Sequence, residues 1–117
     1  MNGKIELTDY ISDFDAAPNS APDGRPYPET LLSIVLTGTN QSGEAPKRVI
    51  IRFRDAERLS ANPSISGSDI ILDLPKHDFA MVQDMIEKSI LAKKDALKLA
   101  ANYRVIGSNT WVNLSLR

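Results

Sequence analysis

Apolar and polar residues alternate in several stretches of this chain, and one segment alone, roughly residues 76 to 94, repeats at helical spacing. A period of two sends successive side chains to opposite faces of an extended strand, so a chain patterned in this way buries its apolar side by building a sheet. Seven prolines and six glycines punctuate the pattern and set the segment ends.

The alternation begins at "KIELTDYI" (4 to 11), where Ile5 and Leu7 oppose Lys4, Glu6 and Thr8. Residues 12 to 28, "SDFDAAPNSAPDGRPYP", hold four prolines and read as a long loop, because proline donates no ladder hydrogen bond and restricts its predecessor. "TLLSIVLTG" (30 to 38) is apolar on both phases, as expected of a central strand covered on both sides. "TNQSGEAP" is a turn cluster, and "KRVIIRFR" (47 to 54) follows as the hairpin partner. Residues 55 to 68 read as an irregular connection with at most one helical turn. "DIILDLP" (69 to 75) is a short strand with Ile70, Leu72 and Leu74 inward and Asp69 and Asp73 outward.

In the helical segment Phe79, Val82, Met85, Ile86, Ser89 and Ile90 share one face. Pro75 suits a helix start, and Asp78 suits the positive end of the helix dipole, while Lys88, Lys93 and Lys94 lie toward the other end. Beyond about residue 97 the period returns to two. Tyr103 and Val105 face Val112 and Leu114 across a "GSNT" turn, which makes a terminal hairpin. A four-residue loop there sets Ile106 opposite Trp111. The expected fold is α+β: one curved, mainly antiparallel sheet of about six strands, in the order β-β-β-β-α-β-β, packed on one amphipathic helix. The 117 residues suffice for one domain, spanning 1 to 117, with a proline-rich loop at 12 to 28.

The composition narrows the function classes. The chain is 42% hydrophobic and 25% charged, ordinary for a globular protein, and its net charge of −1 lacks the positive excess of a dedicated nucleic-acid binder. Without cysteine there is no disulfide, no thiolate nucleophile and no cysteine-ligated zinc. With no signal-like start and no run long enough to cross a bilayer, the expectation is a cytoplasmic protein with no membrane partner. Asp13 and Asp15, with Asn19 and Asp23, lack the spacing of a calcium loop, so no metal and no cofactor is expected. The lone His77 has no nucleophile motif beside it, and the chain reads as a non-enzyme. A ligand pocket under the 12 to 28 loop, with Tyr10, Tyr27 or His77, is the least supported alternative.

Two surfaces stand out. On "KRVIIRFR", Arg48, Arg52 and Arg54 line one strand face around Ile50. Such a stripe meets water, an acidic partner or phosphates. Single-strand binders add aromatics on the same face, and none is here. Glu6, Asp69 and Asp73 on adjoining strands can balance the charges instead. The second surface is the outward face of the terminal hairpin, where Arg104, Ile106, Trp111 and Asn113 combine an aromatic, a cation and small polar groups, as interface hot spots do. The expected function is therefore a small non-catalytic interaction module of the adaptor, inhibitor or immunity kind. It binds a protein partner or itself, as a homodimer, through Arg52, Arg54, Arg104, Ile106, Trp111 and Asn113 and a strand edge. The alternative is single-stranded nucleic acid on Arg48, Arg52, Arg54 and Arg58.

Overall fold

The structure, a computed structural model, describes residues 2–15, 31–56, 59, 62–92 and 97–116. Seven strands form one sheet: β1 (Asn2–Asp15), β2 (Leu31–Asn40), β3 (Arg48–Arg54), β4 (Ser64–Ser66), β5 (Asp69–Pro75), β6 (Leu99–Ile106) and β7 (Asn109–Leu116). Their spatial order is β4-β5-β3-β2-β1-β6-β7, and the edge strands β4 and β7 approach each other, so that the sheet is nearly barrel-shaped. A 3-10 turn (Lys76–Asp78) leads from Pro75 into the helix α1 (Phe79–Ala92).

Two features differ from the expected sheet. It has seven strands rather than six, and it is mixed, since β3 and β5 run parallel while every other pair is antiparallel. The extra strand, β4, lies inside the stretch that reads as irregular. Its sequence, "SIS", is too short and too rich in serine to carry a visible alternation. The chain leaves β3, passes β5, and returns through β4 to enter β5 in the same sense as β3. The Ser68 carbonyl accepts hydrogen bonds from the Lys47 and Arg48 amides at 2.8 and 3.1 Å, which fastens this return to the start of β3.

Strand β1 runs further than expected, so residues 12 to 15 belong to it. The remainder of the proline-rich stretch, including Asn19, Asp23, Arg25 and Tyr27, falls outside the described residues. A bulge between Leu7 and Asp9 explains the pattern of β1. One extra residue shifts the phase, so that Ile5, Leu7 and Tyr10 face the core while Ile11 faces out and is 67% exposed. Gly38 lies opposite Leu7, where a Cβ would fall 1.9 Å from the Glu6 carbonyl oxygen. Only glycine lets the two backbones come so close.

The core lies on the concave face, where Ile5, Leu7, Ile34, Leu36, Val49, Ile51, Phe53, Ile70, Leu99 and Tyr103 meet Val82 and Ile86 of α1. Burying each large aliphatic side chain is worth about 1.5–3 kcal/mol, and this seam holds α1 in place. Phe79 meets Phe53 edge to face, with ring centroids 5.1 Å apart. Ser89 is the one polar residue on the apolar stripe of the helix, and it is fully buried. Its hydroxyl oxygen accepts from the Lys98 amide at 2.7 Å, joining the helix to the approach of β6. Lys93 and Lys94 lie outside the described residues, whereas Lys88 pairs with Asp84 one turn earlier.

Candidate functional site

The outward face of β1, β6 and β7 is laid out by strand register. Antiparallel pairing aligns Asn2, Arg104 and Trp111 in one row, and Lys4, Asn102 and Asn113 in the next. The β6–β7 connection is a two-residue turn, Gly107–Ser108, rather than a four-residue loop. Ile106 therefore pairs with Asn109, and Arg104 faces Trp111. The error is a register shift of two residues, which leaves every side chain on its expected face.

Trp111 is 46% exposed and Ile106 is 54% exposed. The Arg104 guanidinium carbon sits 5.1 Å from the centre of the indole ring, in cation–π contact. Around them Asn2, Gly3, Asn102, Tyr103, Val112 and Asn113 complete a groove of about 450 Å³. The groove offers an aromatic wall, a guanidinium and three carboxamides. It suits a partner that brings an apolar group together with an acid or a main-chain carbonyl.

The floor of the groove is held from the core side. The Tyr103 ring lies where a Cβ on Gly3 would be, 2.2 Å away, so the glycine makes room for the tyrosine across the ladder. The Tyr103 hydroxyl accepts from the buried Asn40 amide at 2.9 Å, and the same amide donates to the Pro46 carbonyl at 2.8 Å. The Asn40 side-chain oxygen accepts from the Ser42 amide and hydroxyl at 2.9 and 2.8 Å. One buried side chain thus clips the β2–β3 turn to the strand that carries Arg104.

The arginine stripe has a different character. Arg48 donates two hydrogen bonds to Asp69, at 2.6 and 3.0 Å, and this contact followed by the charge of Asp69 raises the guanidinium above its ordinary pKa. Arg52 donates to Asp73 at 2.6 Å, and Arg54 reaches the same carboxylate at 3.7 Å. The Asp73 side chain has no exposed surface. In-register parallel pairing of β3 with β5 places Arg48 beside Asp69 and Arg52 beside Asp73. Glu6, on β1, lies two strands away from β3 rather than on an adjoining strand. Between the charged rows an aliphatic row, Ile11, Val35, Ile50 and Ile71, crosses four strands on the outer face.

The structure thus brings Arg104, Trp111 and Asn113 together, with Ile106 on the same face beyond the groove. It does not bring Arg52 or Arg54 to them, because β2 and β1 lie between β3 and β6. Arg58 is outside the described residues. His77 is exposed and its Nε2 lies 3.4 Å from Asp78, and Tyr10 packs against the core. Among the described residues no three His, Asp or Glu side chains converge as metal ligands. Among the described residues no helix is long and apolar enough to cross a membrane. Asn2, Lys4 and Asn102 complete the site. Asn102 shares the outward phase of Arg104, a signal readable from sequence, but Asn2 and Lys4 enter through the long-range pairing of β1 with β6.

Compared with known proteins, the chain matches no family model, no curated protein and no solved structure. Its function is therefore argued from geometry.

Proposed function

We propose that the protein is a small non-catalytic interaction module that binds a protein partner through the outward face of the β6–β7 hairpin. Trp111 is the apolar anchor, Arg104 receives an acidic side chain, and Asn2, Asn102 and Asn113 hydrogen-bond to the partner's polar groups. The observation that carries this reading is the contrast among the arginines. Arg48, Arg52 and Arg54 are ion-paired to Asp69 and Asp73. Arg104, among the described residues, has no acidic partner and lies over a half-exposed tryptophan. An arginine and a tryptophan held together at the surface are the residue types that dominate interface energetics.

The groove is lined by amides, a guanidinium and aromatic and aliphatic surface, a set suited to recognition rather than to proton transfer near neutral pH. Nucleic-acid binding through β3 is the weaker reading, because pairing to Asp69 and Asp73 offsets the charge that phosphates would meet. The test compares the proteins retained by the wild type with those retained by Trp111→Ala and Arg104→Ala, each variant first checked for native circular dichroism. The partner is expected to bind Trp111→Ala about thirtyfold more weakly, the loss of a hot spot worth about 2 kcal/mol. Arg104→Ala binding should lose most of its salt dependence. A partner held equally well by both variants would overturn the reading.

A further inference from the structure

We infer that the free edge of β7 is a self-pairing surface, on which a second copy of this chain adds its own β7 antiparallel to form a two-fold dimer. The inference concerns the edge of the hairpin rather than its face, so it stands or falls apart from the role proposed for Trp111.

The backbone geometry of the hairpin defines the surface. Ile106 and Asn109 flank a two-residue turn, and such a pair exchanges both of its backbone hydrogen bonds. Counting by twos, Trp111, Asn113 and Ser115 also turn their amides and carbonyls toward β6. Thr110, Val112, Leu114 and Leu116 turn theirs away, toward the open edge. Among the described residues β7 is hydrogen-bonded only to β6. Strand β4 approaches it, but with three residues against eight it can cover only part of that edge.

Soluble proteins ordinarily protect a long edge strand with a charge, a proline or a bulge. The sequence of β7, "NTWVNLSL", contains no charge and no proline, and its register with β6 is regular throughout. Its concave-side residues leave the core unfinished, since Val112 and Leu114 are half-buried and Leu116 is 56% exposed. A strand added at this edge covers them.

Three properties select a second copy as the occupant. An uncharged strand can lie against itself without like-charge repulsion. The even register that pairs all four edge-facing residues sets Asn113 opposite the partner's Asn113, Val112 opposite the partner's Leu114, and Thr110 opposite the partner's Leu116. The aliphatic side chains then meet on the core side and the polar ones on the outside. Finally, pairing β7 with β7 uses the same surface on both copies and closes at two, whereas β7 on the three-residue β4 of another copy would continue without end. The dimer also joins two Trp111 grooves on one continuous outer face.

The test is sedimentation velocity of the full chain, of Asn113→Lys, of Asn113→Glu, and of the two variants mixed. Wild type is expected at twice the 12.9 kDa of one chain. Each variant puts like charges at the two-fold axis and is expected to weaken self-association by about tenfold or more while keeping native circular dichroism. The equimolar mixture is expected to regain the doubled mass as a Lys–Glu heterodimer. Trp111→Ala is expected to remain dimeric, so failure of this inference and failure of the groove reading are separable. A monomeric wild type, a mass above two chains, variants that dimerise like wild type, or a mixture that stays monomeric would each overturn it.

Discussion

At the residue scale, Asp73 decides what the β3 arginines do. Its carboxylate is sealed from solvent beneath Arg52 and Arg54, so those cations serve the sheet before any partner. Replacing it with alanine leaves two guanidinium groups beside each other without their shared acid. We expect Asp73→Ala to lower unfolding stability by about 1–3 kcal/mol in a urea titration, the range for losing a charged hydrogen-bond partner. Stability within 0.5 kcal/mol of wild type would mean that the pairing is ornamental. The alternation of "KRVIIRFR" made the stripe legible, and Asp69 and Asp73 were readable as outward. Which acids face which arginines was not, because that depends on the parallel register of β5 on β3.

At the element scale, every strand with clear alternation, and the helix α1, lie close to where the sequence sets them. What escaped was short or non-periodic. Strand β4 has three residues, and the β1 bulge inserts one residue that breaks the period in mid-strand. The bulge predicts a strict requirement for glycine opposite it. Gly38→Ala drives a Cβ into the β1 backbone rather than into a yielding side chain, so the strands must separate. The expected loss is about 3 kcal/mol by thermal or denaturant unfolding, at the upper end for overpacking. A neutral Gly38→Ala would show that β1 and β2 do not meet at this register. The hairpin illustrates a smaller failure, since alternation fixed the faces of Trp111 and Arg104 while the turn length, and with it the partner of each residue, stayed open.

At the scale of the whole molecule, the site exists because the first strand pairs with the strand after the helix. That long-range pairing of β1 with β6 adds Asn2 and Lys4 to Asn102, Arg104, Trp111 and Asn113 on one outward surface. No local pattern announces a contact between residues about a hundred positions apart in sequence, so the four residues of β6 and β7 were readable and the two of β1 were not. The same topology keeps the ion-paired arginine stripe two strands away. The outer surface thereby divides between a region where Arg48, Arg52 and Arg54 pair with Asp69 and Asp73 and a region where Arg104 lies over Trp111.

The single tryptophan stands outside the core, beside a cation. Because Trp111 is the only indole in the chain, its fluorescence reports that arrangement directly. The account predicts the red-shifted emission of a solvated indole, quenched more strongly by iodide, which Arg104 attracts, than by caesium, which it repels. A blue-shifted emission that neither ion quenches would place the ring in the interior and contradict the account.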